Sequence, residues 1–411
     1  MSWNTEKLGD VAVAIQPGPF GSQLHRADYS ETGIPIIMPK DMIGGHIDHT
    51  NLSFVSEEHA KRLSRHQVHT GDLIVARKGD VRKCVYISEN ENGWMTGSDC
   101  LKVSLDNSKC VSRFIHYQLR TPFIGRWLET ISIGSTMPSI NSGLLSSIEI
   151  HLPTIEIQKR ITKILKCYDD LIENNNRQIR LLEEAAQRLY KEWFVDLHFP
   201  GYENCKIVDG LPEGWKKSPI GKMVKVVRGR SYSSKELSDI DSVLMVNLSN
   251  IRAYGGYNRN QEKHYNGKYN DEQVVETHDL LMGVTDMTQE RRTVGRVALV
   301  PNLHAKAIIS MDLIKLIPNE SSTLFLYALL NYGGYSEVVS RFANGTNVLH
   351  LRPDVLDIVD VVVPDAKTQG IFVDFFGKIQ NLIDMLQDEI IVAGEARDRL
   401  LPKLMSGEIE V

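Results

Sequence analysis

An internal repeat is the feature of this sequence that most constrains its fold. A shift of 211 positions superimposes the two halves of the 411-residue chain over a long stretch without a gap. Residues that then coincide include Phe114 with Phe325, Gly134 with Gly345, Pro153 with Pro364, and Arg188 with Arg399. A shift of 212 also aligns Trp3 with Trp215. Because a repeat of this length encodes a whole folding unit twice, we interpret the chain as a tandem duplication.

The first part of each repeat has the pattern of a mixed α/β domain. Short β-like runs, such as IPIIM at 34–38 and DLIVA at 72–76, are separated by Gly, Pro, Asn and Asp, which interrupt strands. The second repeat carries comparable runs at 243–246 and 279–284. A short helical stretch at 113–128 lies between such runs and the end of the first repeat. The pattern predicts a domain with short elements and many irregular connections.

The end of each repeat has helical periodicity instead. Apolar residues recur mostly at steps of three and four in two series: Ile157, Ile161, Ile164, Tyr168, Leu171, Leu182 and Leu189, then Phe372, Phe375, Ile379, Leu382, Leu386, Ala393, Leu400 and Leu404. Heptad spacing sustained over this many turns predicts long helices that pack on one another.

We therefore predict an α+β fold with an internal pseudo-twofold tandem repeat. Two mixed α/β domains are expected to be separated by two long antiparallel helices that form a coiled-coil-like spacer. The predicted segments are a first domain at 1–154, a helix at 155–197, a linker at 198–214, a second domain at 215–364, and a second helix with the C-terminal tail at 365–411.

Composition narrows the class of protein. No apolar run approaches the roughly 18 residues needed to cross a bilayer, and the five cysteines include no CxxC pair. We expect reduced thiols in a cytoplasmic protein that has no membrane partner. The net charge of −5 hides basic clusters, because residues 216–235 carry seven Lys and Arg and no acid, and RKGDVRK at 77–83 carries four against one. Such clusters either bind phosphates or form an ordinary solvated surface.

Motifs for catalysis are missing from the sequence. It contains no GxxxxGK[ST] loop, no GxGxxG after a strand, and no Asp/Asn-Pro-Pro-aromatic loop of an amino-methyltransferase. The two HxxH pairs, His46/His49 and His66/His69, are interpreted as surface histidines, since the second repeat has no match for them. Asp365 is interpreted as a helix cap and not as half of a nuclease metal site. We predict no catalytic, cofactor-binding or metal-binding residues in this chain.

An ordered set of segments carries a resemblance to a known family. The segments are GPFGSQL at 18–24, GSTMPSIN at 134–141, IHLPTIEIQKRI at 150–161, LPEGW at 211–215, NGTNVLHL at 344–351, VVVPDAKTQGIF at 361–372 and LLPKLMSGEIEV at 400–411. Together they span nearly the whole chain and resemble the specificity (S) subunit of a type I restriction–modification system. The second repeat departs from the family pattern in having AKTQ where an acidic residue near the Gln is usual.

The resemblance implies a function for each part of the chain. Two target recognition domains would each read one half of an asymmetric bipartite site on double-stranded DNA. The helices would set the spacer and dock two methyltransferase subunits. The subunit itself would be non-catalytic, because its partners methylate adenine with S-adenosylmethionine and, when restriction subunits are added, cleave DNA using ATP and Mg²⁺.

Candidate contact residues follow from the need for polar and basic side chains on loops that reach a DNA groove. The candidates for DNA binding are Ser22, Gln23, Lys40, Arg77, Lys78, Arg82, Lys83, Arg228, Arg230, Tyr232, Asn250, Arg252, Arg291 and Arg292. The candidates for partner binding are Trp193, Phe194 and Phe376, which could equally belong to the core of the chain. Gly134 and Gly345 are expected to shape turns. The alternative functions are a helical scaffold that bridges protein partners without reading DNA, and an enzyme with an undetected site.

Overall fold

The computed structural model describes residues 3–132, 138–238 and 242–411, except for the side chain of Ser22. The turn predicted at Gly134 lies outside these residues. The chain divides into two compact units, one of Met1–Asn174 with Ile390–Val411 and one of Asn175–Glu389. Each unit therefore combines one predicted mixed domain with part of each predicted helix.

The first unit is built from short strands and helices. Its strands are β1 (Asn4–Lys7), β2 (Ala12–Pro17), β3 (Tyr29–Ser30), β4 (Ile34–Ile37), β5 (Met42–Ile43), β6 (His46–Ile47), β7 (Ser53–Val55), β8 (Leu73–Ala76), β9 (Cys84–Tyr86), β10 (Met95–Thr96), β11 (Cys100–Leu105) and β12 (Glu149–Leu152). Its helices are α1 (Leu8–Val11), α2 (Glu57–Arg62), α3 (Ser112–Leu119), α4 (Pro122–Ile131), α5 (Ser142–Ser146) and the start of α6 (Ile155–Tyr190).

Two four-stranded sheets organise this unit. One is antiparallel, in the order β2-β11-β8-β9, and the other has the order β10-β4-β7-β3, with β10 parallel to β4. Strand β8 is buried along its whole length. Because side chains alternate between the faces of a strand, Leu73 packs in the larger core with Phe114, whereas Ile74 packs in another with Ile37.

The second unit contains the corresponding elements. Its strands are β13 (Ile207–Val208), β14 (Leu211–Pro212), β15 (Lys216–Pro219), β16 (Val224–Arg228), β17 (Val243–Val246), β18 (Lys263–Tyr265), β19 (Val274–Val275), β20 (Leu280–Gly283), β21 (Thr285–Asp286), β22 (Val297–Leu299), β23 (Ala307–Ile309), β24 (Leu313–Pro318), β25 (Leu349–His350) and β26 (Asp360–Val363). Its helices are α7 (Ile220–Met223), α8 (Thr323–Asn331), α9 (Tyr335–Ser340) and parts of α6 and α10 (Ala366–Met405).

The strand arrangement of the first unit recurs in the second. An antiparallel sheet has the order β16-β24-β20-β22, and a second sheet has the order β18-β17-β23-β19, with β17 parallel to β23. The first of these sheets corresponds to β2-β11-β8-β9, and in the second β18, β17 and β23 correspond to β7, β4 and β10. The fourth strand differs, because β19 lies beside β23 whereas β3 lies beside β7. The fold is therefore duplicated through 20–110 and 230–320, where the sequence has no gapless match.

The long helices run antiparallel within each unit. In the first unit, Arg397 of α10 donates to Asp169 of α6 at 2.8 Å. In the second unit, Asn175 of α6 donates to Glu389 of α10 at 2.8 Å, and the rings of Trp193 and Phe372 lie 5.8 Å apart. Residue numbers rise along one helix as they fall along the other, which confirms the predicted direction of pairing.

Both long helices begin in the same way. Gln158 donates to the Pro153 carbonyl at 2.9 Å, and its repeat partner Gln369 donates to the Pro364 carbonyl at 2.7 Å. Asp365 accepts hydrogen bonds from the backbone N–H groups of residues 367 and 368, each at 3.0 Å. The interpretation of Asp365 as a helix cap is therefore confirmed.

Two expectations about side-chain position were wrong. Leu171, Phe375 and Leu382 were assigned to the helix seam, but they are 41%, 52% and 41% exposed. The periodicity identifies an apolar helix face but cannot separate a seam from a neighbouring exposed stripe. His66 was expected at the surface but is buried. Among the described residues, no helix is long and apolar enough to cross a membrane.

Candidate nucleic-acid interface

The basic segment 77–83 forms the connection between β8 and β9. Buried Val81 anchors this loop in the core, and Gly79 has a φ of +78°, which favours glycine. Backbone hydrogen bonds join Arg77 N to the Asp99 carbonyl at 2.7 Å and Gly79 N to the Pro138 carbonyl at 3.0 Å. The loop is therefore held at its start and at its centre.

Its charged side chains differ in their freedom. Lys78 and Lys83 are tied locally, because Lys78 Nζ lies 3.3 Å from Asp99 and Lys83 Nζ donates to the Pro39 carbonyl at 2.9 Å. The second contact brings the loop beside exposed Lys40, which follows β4. Arg82 is partly neutralised, since its Nε lies 2.9 Å from Asp80 and 3.3 Å from Glu129.

The segment GPFGSQL reaches the same region from β2. A Cβ on Gly18 would lie 1.9 Å from the Gly97 carbonyl oxygen, so only glycine permits this approach. Gly97 N in turn donates to the Ile37 carbonyl at 2.9 Å. The loops that follow β2, β4 and β8 therefore meet in the first unit. Gln23 is half-buried, and the side chain of Ser22 lies outside the described residues.

Phe20 is a residue of this region that sequence reasoning missed. Its side chain is 54% exposed, in the segment that also carries the candidate Gln23. An aromatic residue between two glycines in GPFGS could have been recognised as exposed, because glycine-rich turns rarely supply a core position.

Equivalent loops of the second unit follow β16, β17 and β20. Arg228 is exposed at the end of β16, and Arg230 Nε donates to the Tyr265 hydroxyl at 3.3 Å. Tyr232 is half-buried and accepts a hydrogen bond from Lys263 Nζ at 3.0 Å. The Lys263 ammonium also lies 5.4 Å from the centre of the Tyr232 ring, a cation–π arrangement.

Asn250 was a candidate base reader, but its side chain is fully buried. Its Oδ1 accepts from Asn247 N at 2.9 Å and its Nδ2 donates to Glu262 at 2.9 Å. In the first unit Asp41 makes the equivalent bond, accepting from Met38 N at 2.8 Å. Both side chains hold a 3₁₀ turn after a strand, so Asn250 is a structural residue.

Arg252 is also occupied within the chain. It donates to Glu183 of α6 at 2.6 Å and to the Gly255 carbonyl at 3.0 Å. Arg291 and Arg292 lie in the loop after β21, where Arg292 pairs with Glu290. Arg252 nevertheless stays exposed, as do Arg228 and Arg292, whereas Arg230, Tyr232 and Arg291 are half-buried.

The three partner-binding candidates lie in the core of the second unit. Trp193 and Phe376 are buried, and Phe194 packs against the same cluster. The ring of Phe194 lies 4.9 Å from that of Phe372 and 5.6 Å from that of Phe325. The structure therefore supports the alternative weighed for them, that they belong to the core of the chain.

The histidines of the two HxxH pairs lie in different surroundings. His49 lies 2.9 Å from Glu91, His46 lies 3.7 Å from Asp169, and no group of metal-ligand residues occurs in the described part of the chain. Burial, with the adjacent Arg65 and Lys102 cations, lowers the pKa of His66 to about 4. His66 is therefore a neutral core group at neutral pH.

Comparisons with known proteins agree with this arrangement. The family described as the type I restriction modification DNA specificity domain matches residues 1–184 and 212–393. The specificity subunit of type I restriction enzyme MjaIX from Methanocaldococcus jannaschii is 25% identical, over 100% of this chain and 94% of that protein. The HindI specificity subunit from Haemophilus influenzae is 22% identical, over 99% of both chains.

A solved structure shows the same fold. The crystal structure of a type I restriction–modification S subunit from M. genitalium aligns with a TM-score of 0.59 and 14% identity, over 98% of this chain and 96% of that chain. The family match covers most of both repeats, and each repeat carries the strand arrangement described above. The chain accordingly belongs to the specificity subunits of type I restriction–modification systems, the family that supplies DNA sequence recognition.

Proposed function

We propose that this chain reads a bipartite, asymmetric DNA site for a type I restriction–modification complex. Each unit reads one half of the site on double-stranded DNA. One observation carries the proposal: the loops after β2, β4 and β8 and those after β16, β17 and β20 stand on the same strand arrangement but differ in sequence. A shared scaffold with different loops suits two readers of different half-sites.

The long helices set the unspecified spacer between the half-sites. Helix α6 has 36 residues, which gives about 54 Å at 1.5 Å per residue, compared with about 34 Å for one turn of B-DNA. Rigid helices of this length suit a fixed spacer, because a flexible linker would allow several separations.

Two methyltransferase subunits dock on exposed apolar side chains of these helices. In the second unit, Phe375, Leu382 and Met385 of α10 are 52%, 41% and 65% exposed. Their spacing of seven and three residues puts them on one helix face. In the first unit, Leu171 of α6 is 41% exposed and is the repeat partner of Leu382. An exposed leucine at equivalent positions of the two repeats suits two copies of one partner.

The chain itself is non-catalytic in this proposal. S-adenosylmethionine is bound by the methyltransferase subunits, and ATP and Mg²⁺ are bound where restriction subunits join the complex. The Leu171 and Leu382 surfaces replace Trp193 and Phe376 as the docking candidates, because an exposed apolar side chain is available to a partner.

Exchange of one recognition region tests the reading of DNA. Genome-wide adenine methylation is mapped in cells that co-express the chain with its methyltransferase, before and after residues 20–110 are replaced by those of a relative. We expect a split motif in which only one half changes, and the matching exchange of 230–320 should change the other half. Methylation that ignores both exchanges would favour the scaffold function.

A second experiment tests the docking. Leu382→Asp and Leu171→Asp should each remove one methyltransferase subunit from the purified complex, and the double variant should remove both. Native mass spectrometry counts the subunits directly. Ile358→Asp is the matched control, because Ile358 is 65% exposed but lies outside the long helices. Full binding by the double variant would contradict this docking surface.

A further inference from the structure

An exposed methionine stands out in the loop after β21. Met287 is 71% exposed, more than any other large apolar side chain described in the second unit, where Met385 and Met311 are 65% and 52% exposed. Burial of apolar surface stabilises a complex by about 25 cal/mol for each Å² removed from water. Met287 is therefore suited to contact an apolar group of a ligand.

The loop that carries Met287 is held by a buried carboxylate. Asp286 Oδ1 accepts from the Thr288 backbone N–H and hydroxyl, both at 2.8 Å. Its Oδ2 accepts from the Thr293 N–H at 2.6 Å and hydroxyl at 3.0 Å. Both ends of segment 287–293, named here the Met287 loop, are therefore fixed to one side chain.

A further contact ties the middle of the Met287 loop. Gln289 Nε2 donates to the Thr346 carbonyl at 2.9 Å. A loop held at its ends and its middle loses little conformational entropy on binding. The exposed side chain of Met287 is consequently presented from an ordered backbone.

The surroundings of Met287 indicate the kind of ligand. Arg291 and Arg292 lie in the same loop, where Arg292 also pairs with Glu290. The loop follows β21, which pairs with β25 inside the segment NGTNVLHL. Cationic side chains beside an apolar one suit the major groove of DNA, where phosphates flank the bases and thymine alone presents a methyl group.

We propose that Met287 determines specificity by contacting the 5-methyl group of a thymine in the half-site read by the second unit. The inference rests on the proposed function, because it requires that this unit reads DNA. It adds a residue and a base group that the charged and polar candidates do not include. The contact distinguishes A·T from G·C pairs through methyl burial.

Removal of the methyl group from DNA tests the contact. The full chain, assembled with its methyltransferase, is assayed on duplexes that carry the mapped site with each thymine replaced in turn by deoxyuridine. We expect one replacement in the second unit's half-site to lower the methylation rate about fourfold, which corresponds to the loss of one buried methyl group.

Substitutions of Met287 complete a double-mutant cycle. Met287→Ala should lower the rate on the thymine duplex by a similar factor and should abolish the difference between thymine and deoxyuridine at that position. Met287→Leu should preserve the difference, because it keeps an apolar side chain. Ile358→Ala, an exposed apolar control outside the loop, should behave like the unmodified chain.

The outcomes separate this inference from the proposed function. Additive losses for Met287→Ala and deoxyuridine, or a half-site made only of G·C pairs, would overturn the thymine contact while leaving the reading of DNA intact. An equal loss for Met287→Ala on every duplex would also overturn it, since the residue would then act without regard to sequence. If exchange of 230–320 leaves the motif unchanged, the proposed function itself fails.

Discussion

The two units share a strand arrangement but attach it to the long helices differently. In the first unit, fully buried Asp169 accepts from the Tyr117 hydroxyl at 2.5 Å and from Arg397 at 2.8 Å. In the second unit, the helices are held by more exposed pairs, including Asp384 with His278 at 2.7 Å. A duplicated fold can therefore keep its backbone while the polar contacts that support it are replaced.

Asp169→Asn gives the largest expected effect on this comparison. The change removes the buried counter-ion of Arg397 and leaves only the exposed carboxylate of Asp398 beside it. The free energy of unfolding should therefore fall by about 3 kcal/mol. Asp384→Asn, in a more exposed pair, should cost about 1 kcal/mol or less. Urea denaturation measures the change in the free energy of unfolding for each variant. Hydrogen exchange should show that the loss for Asp169→Asn lies in the first unit. Equal losses for the two variants would remove the distinction.

The second largest effect should come from acid, which lowers the stability of the first unit through His66. Gln273 occupies the corresponding third position of a 3₁₀ turn in the second unit. Because the folded-state pKa of His66 is lowered to about 4, the unfolded chain binds a proton first as the pH falls below about 6.5. Stability is thus complete above this pH and is lost towards pH 4.

The loss should reach about 2 kcal/mol once solvent screening is allowed for. His66→Gln should flatten the dependence of unfolding free energy on pH between 6.5 and 4. A wild-type slope retained by this variant would assign the titration to another group.

Arg77→Ala tests whether the first unit reads its own half-site independently of the second. If Arg77 contacts a base, Arg77→Ala should lower the methylation rate about tenfold and should alter the base preference in one half-site only. Arg82→Ala is the control, because Asp80 and Glu129 already neutralise Arg82. Rates measured on duplexes with single base changes decide the matter. Uniform weakening on all duplexes would make Arg77 a phosphate contact.

The smallest effect expected concerns the two equivalent turns. Asp41→Ala and Asn250→Ala should each lower the free energy of unfolding by about 1 kcal/mol, since each removes a cap from a 3₁₀ turn. Thermal melting monitored by circular dichroism compares them. A negligible effect of one variant would show that the turns are not supported alike.

The sequence predicted those features that depend on periodicity and repetition. The antiparallel helices follow from apolar spacing, and the basic loop at 77–83 follows from local composition. Asn250 could not be assigned correctly, because an Asn that caps a turn and an Asn that reads a base look alike in sequence. Leu382 was misplaced because an apolar pattern does not distinguish a side chain buried between the helices from an exposed one beside them. Asp169 was missed because its partners Tyr117 and Arg397 are distant in the chain.

The first unit combines an early and a late segment of the chain, which affects its folding during synthesis on the ribosome. This unit includes Ile390–Val411, and its core contains Leu401 and Leu404. The second unit is continuous from Asn175 to Glu389 and needs no later residues. At about 5–20 residues per second, the first unit waits on the order of ten seconds or more for its last helical segment. The half of the protein that is made first is therefore completed last, and its core lacks Leu401 and Leu404 in the interval.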